Sequence, residues 1–407
     1  MDCGSFLRRQ VRVLRITSTL TLVSAFAFLA VASYIAVYVV IVGLLVMALR
    51  SAGPAMTKTP GQMALIAAFL AITLAALLAG PLVAMNWLGP GVLFLILLGL
   101  GFPELACHAP RHSSTPSLAF LALVGTVMGF ALGLYEIAFG VAERAGVWNN
   151  PIHYSGIMVL LGFASLAGFE AVRNGWRYLF LAGPILGIAG VLLSGSRGPF
   201  LACLALLALI GPLLAYSNRR DGRFWITTGA LLLIPAAVLV ISPLGPRAAG
   251  ALLELAGGLG TGDIAMLDEG RTRMLSGAWQ AFLDSPVWGH GWAGMMPAAE
   301  AYFPPDGEFR GFDHLHADIA NFAVMAGVLG LLAYGLLIAA PLLTLIGMPR
   351  QVRREALIVA VTTSVGYFVL GLTNALFGVL PQTMLYACLV GWLLHLRLSP
   401  PTPAAPN

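Results

Sequence analysis

Two short polar stretches lie directly beside long apolar runs. One is Ser194-Gly195-Ser196-Arg197-Gly198, between two apolar segments, and the other is His314-Leu315-His316-Ala317-Asp318, which ends a long polar segment. Arginine and histidine are costly at membrane depth, so their presence at its edge indicates function. Arginine binds phosphate through paired hydrogen bonds, and histidine exchanges a proton near neutral pH. Together they predict chemistry on a lipid-linked phosphate substrate at one membrane face.

Arg197 is the first candidate for a phosphate ligand. The flanking Gly195 and Gly198 allow close backbone approach, and Pro199 suits the first turn of a helix. A helix N-terminus and a guanidinium group together form an anion site. The alternative is an arginine that extends to the membrane interface or caps a neighbouring helix. The serine- and glycine-rich context favours the anion site, with Ser196 as a supporting residue.

His316 is the candidate general base, because it stands at the predicted start of an apolar helix. Small residues follow it on the same helix face, at Ala320, Ala323, Gly327 and Gly330. Such a stripe lets another helix or a lipid chain approach closely, so a histidine at its head would point into the resulting cavity. Alternatively, His316 is a surface residue of the loop, or it is paired with Asp313 or Asp318.

His314, His316 and Asp318 alternate along the chain, a spacing that is compatible with a metal site. The other carboxylates of the polar segment show no matching ligand pattern, and arginines neutralise phosphate without an ion. The sequence therefore predicts no metal and no cofactor. It assigns His314 and Asp318 to supporting positions beside His316.

Three further arginines are candidate phosphate ligands. Arg271 and Arg273 begin an amphipathic pattern, and one of them would be a second phosphate ligand. The alternative is a solvated helix end, or ion pairs with Asp268 or Glu269. Arg144 is a weaker candidate.

Two other histidines are interpreted as structural. His153 lies where a helix is predicted to begin, and His290 lies in a tight Gly289-His290-Gly291 turn. The four cysteines have no metal-binding spacing, and none lies in the long polar segment. They are therefore predicted to be free thiols.

The elements that must position these residues are membrane helices. Of the 407 residues, 59% are hydrophobic and 10% are charged, and the mean hydropathy is +0.90. This composition predicts an all-α integral membrane protein and excludes a soluble nucleic-acid-binding protein, in spite of the net charge of +5. Apolar runs long enough to cross ~30 Å of hydrocarbon predict about 12 transmembrane helices. The predicted spans are 16–49 (two spans divided near Ser33-Tyr34), 63–85, 88–102, 117–139, 153–172, 178–193, 199–216, 224–241, 316–345, 356–376 and 381–396.

The basic residues predict the orientation of these helices. The chain divides into a basic N-terminus (1–15), nine helices (16–241), a polar segment (242–315), three helices (316–396) and a Pro-rich tail (397–407). With the N-terminus in the cytoplasm, 16 of the 22 Lys and Arg residues fall on the cytoplasmic side; the other six are Arg144, Arg197, Arg247, Arg271, Arg273 and Arg310. The positive-inside rule then assigns the polar segment, Arg197 and His316 to the external face.

The polar segment is expected to contain one helix on the membrane surface. Apolar residues recur at helical spacing through 271–283, at Met274, Leu275, Ala278, Ala281 and Phe282. Asp284-Ser285-Pro286 ends this pattern. The amphipathic helix would lie over the bundle.

Four pieces of the chain, taken in order, resemble the O-antigen ligase and polymerase superfamily over about residues 140–345. They are Gly146 to Pro151, with its Asn-Pro turn; Ser194 to Gly198, with Ser-Arg-Gly; Gly270-Arg271 through Pro286-Val287-Trp288-Gly289-His290-Gly291; and His316-Ala317 followed after nine residues by Gly327-Val328-Leu329-Gly330. Two positions depart from the pattern: Ala317 replaces the usual amide or hydroxyl residue, and Leu331-Leu332 stands where some ligases have threonines.

The resemblance implies a GT-C-like membrane enzyme that takes a glycan from undecaprenyl diphosphate at the periplasmic face of the bacterial inner membrane. It implies a metal-independent, inverting glycosyl transfer. By this resemblance His316 is the general base, Arg197 and Arg271 bind the diphosphate, and Arg144 and Arg273 assist them.

Three functions stay open at this point. An O-antigen ligase, which would use lipid A-core as acceptor, is favoured because a single external loop dominates. An O-antigen or exopolysaccharide polymerase is the alternative. A lipid or glycan transporter is less favoured, because transporters typically have paired helices broken near mid-membrane, whereas the polar residues here gather at one face. The sugar and the oligomeric state are not predicted.

Overall fold

The fold is all-helical in the part of the chain that the structure describes. A computed structural model describes residues 16–50, 59–101, 114–241, 269–303 and 311–398. The predicted N-terminus 1–15, the stretches 242–268 and 304–310 of the polar segment, and the tail beyond 398 lie outside the described residues. In chain order the helices are α1 (Ile16–Phe28), α2 (Ser33–Arg50), α3 (Pro60–Ala79), α4 (Leu88–Leu97), α5 (Ser114–Ala138), α6 (Pro151–Ala171), α7 (Gly175–Ser194), α8 (Arg197–Ser217), α9 (Gly222–Val240), α10 (Glu269–Asp284), α11 (Gly291–Glu300), α12 (Asp318–Leu343), α13 (Arg353–Gly371) and α14 (Leu380–Leu398).

Nine helices of the described ranges are long and apolar enough to cross a membrane. They are α3 to α9, with α4 extended by its flanking turns to Ala84–Gly101, together with α12 and α13. Helices α1 and α2 are apolar but shorter. This is the pattern of an integral membrane protein.

Helix α14 lies in the centre of the bundle. Every residue from Pro381 to Leu396 is buried, and Trp392 packs edge-on against Phe26 of α1 with ring centroids 5.7 Å apart. Because protein surrounds α14 on all sides, its buried Gln382 and His395 are kept away from lipid. A helix in this position needs less apolar character than one that faces lipid.

Small residues set the close helix crossings around this centre. A Cβ atom on Gly162 of α6 would lie 2.6 Å from the carbonyl oxygen of Gly183 in α7, so the two backbones touch. Helix α12 packs along α3, and α8 packs along α13. This packing brings the first turns of α6, α8, α12 and α14 to one end of the bundle, which we call the cavity end.

Helix α12 is broken at Gly327, which has φ 61° and ψ −143°. The segment Pro286–Gly289, which follows α10, fills the break with its backbone. The N–H of Val328 donates to the Pro286 carbonyl at 2.8 Å, and the N–H of His290 donates to the Val324 carbonyl at 2.9 Å. The polar segment therefore supplies hydrogen-bond partners that the interrupted helix lacks.

The small-residue stripe on α12 thus differs in part from its prediction. The close approach at Gly327 is made by the backbone of Pro286 and Val287, and not by a neighbouring helix or a lipid chain. The helix also begins at Asp318, two residues later than predicted, so His316 precedes it. The surface helix predicted for 271–283 extends over Glu269–Asp284, and a second helix, α11, follows the glycine turn.

The Gly327→Ala variant is expected to be destabilised by about 1–3 kcal/mol, because a Cβ there would meet the Val287 backbone at 2.5 Å and the positive φ is strained for alanine. Gly335→Ala is the matched control in the same helix: no atom lies within 4 Å of its Cβ position, so it should be neutral or slightly stabilising. Thermal unfolding in detergent measures both. Equal melting temperatures would contradict this account of the break.

Candidate functional site

A cavity of about 700 Å³ opens at the cavity end of the bundle. Its wall is formed by the first turns of α6, α12 and α14, by the turns before them, and by parts of α2, α4 and α11. Aromatic side chains line it at Tyr34, Trp148, Trp292, Phe322 and Phe377, and polar side chains line it at Asn149, Asn150, His153, Asp313, His314 and Asn321. An apolar pocket with a few convergent polar groups is the usual form of a ligand site.

Three histidines gather at this cavity. The rings of His314 and His316 lie 4.4 Å apart between centroids, and Asn374 links His314 to His153. The Asn374 Nδ2 atom lies 3.4 Å from His153 Nδ1, and the Asn374 side chain also hydrogen-bonds to His314. His153 and His314 belong to the cavity wall, whereas His316 lies beside His314.

His314 has the most distinctive environment of the three. Its Nε2 atom is buried and has no hydrogen-bond partner among the described residues. Burial lowers the pKa of His314 from its ordinary value, while the hydrogen bond with Asn374 and the charge of Asp313 act in the opposite direction. Burial therefore favours the neutral form of His314, and one of its ring nitrogens has no protein partner in the described ranges.

His316 is held in a left-handed conformation, with φ 51°. The alternate residues Leu315 and Ala317 are buried, and the N–H of Leu315 donates to the side-chain oxygen of Asn321 at 2.9 Å. Because these two residues anchor the turn in the core, His314 and His316 emerge side by side. This conformation is uncommon outside glycine and indicates a constrained site.

Asp318, which the sequence predicts to support His316, is not itself part of the cavity wall. It is fully buried. Its Oδ1 atom accepts hydrogen bonds from the N–H groups of Leu376 at 2.9 Å and Phe377 at 3.3 Å. Asp318 thus fixes the turn between α13 and α14, which carries part of the wall.

Arg144, Ser196 and Arg197 come together beside this region. Arg144 donates from Nε to the Ser194 carbonyl at 2.7 Å and from Nη2 to Ser196 Oγ at 3.1 Å. Arg197 is exposed in the first turn of α8. Neither arginine is part of the cavity wall. They are joined through Ser196, the residue before Arg197, and we call the two the arginine patch.

The arginine patch and the histidines meet through one stretch of backbone. A Cβ atom on Gly198 would lie 2.0 Å from Oγ1 of Thr373, so α8 begins in direct contact with Thr373. The next residue, Asn374, contacts both His153 and His314. Both polar stretches of the sequence therefore contact the same Thr373-Asn374 segment, and a side chain at position 198 would collide with that of Thr373.

Of the two arginines of α10, Arg273 has a described side chain. Arg273 is half-buried in the first turns of this helix and does not belong to the cavity wall. The backbone of Arg271 lies in the same helix, but its side chain is outside the described residues. Their role in phosphate binding stays a prediction.

No group of three or more His, Cys, Asp or Glu side chains with metal-binding geometry occurs in the described ranges. Two of the four cysteines, Cys203 and Cys388, are free and buried. The other two lie outside the described residues. The prediction that the reaction needs no metal is not tested by this observation.

His153 was missed as a cavity residue by the sequence interpretation. The sequence did contain an indication: His153 follows Asn150-Pro151 at the start of α6, and the predicted orientation assigns it to the same membrane face as His316. Its partner Asn374 is more than two hundred residues away in the sequence, and that contact has no local signature.

Comparison with known proteins identifies the region around the α12 break. Residues 182–335 match the family model described as O-antigen ligase. Over this range the chain is similar to the O-antigen ligase superfamily. No curated protein matches the chain. The resemblance inferred from the sequence is confirmed over this range, which contains three of the four pieces but not Gly146 to Pro151.

The superfamily region contains Arg197, both arginines of α10, the histidine pair and the break at Gly327. It does not contain Arg144, Trp148 or His153, which the fold brings to the same end of the bundle. The site therefore combines the superfamily region with residues from the turn before α6.

Proposed function

We propose that this O-antigen ligase superfamily member transfers a glycan from undecaprenyl diphosphate to lipid A-core. The observation that carries the proposal is the contact of the α8 arginine turn with Thr373, next to the asparagine that contacts two cavity histidines. This contact supports the proposal because it joins the turn that carries Arg197 to the histidines at the same end of the helices, and Arg197, His314 and His316 fall within the matched residues 182–335. Those are the groups that such a transfer needs.

In the proposed reaction, the acceptor hydroxyl oxygen bonds to the anomeric carbon while the bond from that carbon to the diphosphate breaks. His316 takes the hydroxyl proton, and the diphosphate leaves with the bonding electrons on the opposite face of the sugar. Arg197, with Arg271, stabilises the charge that develops on the leaving group. Arg144 and Arg273 assist, and the step is metal-independent and inverting.

The broken α12 helix does not favour a transporter. In transporters, discontinuous helices surround a substrate or ion near the bilayer midplane. Here the chain's own Pro286–Gly289 backbone fills the break and satisfies its hydrogen bonds. The break therefore serves to attach the polar segment to the bundle.

Loss of the gene is expected to abolish every glycan-bearing lipopolysaccharide band, down to core plus one repeat, while lipid-linked polymer accumulates. Gel electrophoresis of lipopolysaccharide from the deletion strain, with the complemented strain as control, measures this. Retention of core plus one repeat without the ladder would identify a polymerase. Unchanged lipopolysaccharide with lost exopolysaccharide would identify an exopolysaccharide polymerase.

The membrane arrangement is also a proposal. We infer that α1 to α9 and α12 to α14 form twelve membrane helices in a GT-C-like bundle of the bacterial inner membrane, with the cavity end at the periplasm. The support is the distribution of the basic residues and the buried position of α14.

Cysteine labelling tests this orientation in a variant that lacks the four native cysteines. Asp306→Cys, in the polar segment, should react with a membrane-impermeant thiol reagent from the periplasm. Arg220→Cys, just beyond the opposite end of α8, should react only after the membrane is permeabilised. The reverse labelling would overturn the orientation and the periplasmic site.

A further inference from the structure

The turn before α6 has a strained backbone. Three non-glycine residues of the described ranges have positive φ: Val147 at 48°, Trp148 at 58° and His316 at 51°. All three lie at the cavity end. For a β-branched residue such as Val147 this conformation is a true outlier, and such strain persists only where the surroundings impose it.

A buried carboxylate imposes the strain. Oε2 of Glu136 accepts hydrogen bonds from the N–H groups of Gly146 at 2.9 Å and Val147 at 2.8 Å. On the other side of the turn, Asn149 donates from Nδ2 to Ser33 Oγ at 3.0 Å. The turn is therefore clamped between the end of α5 and the start of α2.

The clamp buries one side chain and exposes the next. Val147 is 2% exposed, whereas Trp148 is 78% exposed and forms part of the cavity wall. Exposing an indole to water is unfavourable. A tryptophan that only anchors a protein at the membrane interface needs no strained turn and no place in a cavity wall.

We propose that Trp148 stacks against a pyranose ring of the glycan that enters this cavity, and that Glu136 is the positioning residue that holds it there. This inference rests on the proposed function and specifies the sugar-binding part of its site. A pyranose presents an apolar C–H face and a rim of hydroxyl groups. The indole face suits the C–H face, and Asn150 and Asp313 of the same wall supply donors and acceptors for hydroxyl groups.

Removal of the ring without loss of the turn is the direct test. In Trp148→Gly the backbone is favoured, because glycine adopts positive φ readily. Trp148→Phe keeps an aromatic face at the same position. Trp176→Ala is the matched control, since Trp176 is 72% exposed and lies at the opposite end of the bundle.

The probe is the free oligosaccharide released by mild acid from the lipid-linked glycan, and its binding to purified protein is measured by saturation-transfer NMR. Trp148→Gly should weaken binding about tenfold, equivalent to about 1.4 kcal/mol, because the contact with the indole face is lost. Trp148→Phe should stay within about threefold of the wild type, and Trp176→Ala should not change it. Melting temperatures in detergent should be unchanged for the Trp148 variants.

The positioning role of Glu136 has its own readout. Glu136→Ala should weaken oligosaccharide binding in the wild-type background and have no further effect in the Trp148→Gly background, because it acts through the indole. Equal binding by Trp148→Gly and wild type would overturn the proposal, as would absence of binding by the wild type at millimolar oligosaccharide. The assay requires no transfer, so failure of the ligase function and failure of this inference are distinguishable.

Discussion

His316→Asn is expected to lower the rate of glycan transfer by about 10²- to 10⁴-fold, the usual contribution of a general base. Asparagine is the suitable replacement, because it tolerates the left-handed conformation that His316 adopts. The backbone of the turn and its anchors Leu315 and Ala317 should therefore be retained. Transfer is measured with purified protein, lipid-linked glycan donor and lipid A-core acceptor.

Two other histidines control this experiment. His314→Gln removes the neighbouring imidazole, whose pKa is lowered by burial and which is therefore a weaker proton acceptor; its effect should be smaller. His290→Gln alters a histidine whose Nε2 lies 2.7 Å from the Ala281 carbonyl, a structural contact. Near-normal transfer by His316→Asn together with a large loss in His314→Gln would reassign the base to His314.

Arg197→Lys is expected to lower the transfer rate by about 10²- to 10³-fold, the loss that follows removal of one transition-state donor. Lysine keeps the positive charge but cannot form the paired hydrogen bonds of a guanidinium with a phosphate group. Because Arg197 is exposed in the first turn of α8, the substitution should leave the melting temperature unchanged.

Arg220→Lys is the matched control, since Arg220 is exposed just beyond the other end of α8. Wild-type transfer by Arg197→Lys would remove this residue from the diphosphate site. Treatment with a chelator should leave transfer intact. Loss of activity that a divalent metal restores would instead favour the metal site considered for His314, His316 and Asp318.

The positions of the membrane helices were predictable, because burial in lipid requires long apolar runs with few charges. The predicted span 117–139 ends one residue after the observed end of α5, which extends over Ser114–Ala138. Helix starts that have a local capping residue can also be predicted. Asn150 caps α6 immediately before Pro151, and its side chain accepts a hydrogen bond from the N–H of Ile152. Such signals depend on neighbouring residues alone.

The arrangement of the site could not be predicted in full, because it depends on contacts between parts of the chain that are distant in sequence. The sequence predicts that Asp318 supports His316, but it gives no sign that the Asp318 carboxylate accepts hydrogen bonds from backbone N–H groups nearly sixty residues away. The break at Gly327 was also not predicted, because hydropathy does not distinguish a continuous helix from an interrupted one. Its cause is the backbone of Pro286–Gly289, which is separated from α12 in the sequence.

The attachment of Pro286–Gly289 to α12 has a consequence for how such proteins diversify. Its hydrogen bonds join backbone groups on both sides, from Val328 to Pro286 and from His290 to Val324. Backbone bonds place little demand on side-chain identity, apart from the glycines that permit close approach. Changes to the side chains of the polar segment can therefore alter the surface beside the cavity without loosening this anchor. The side chains of the polar segment and the helices of the bundle can in this way change independently of each other.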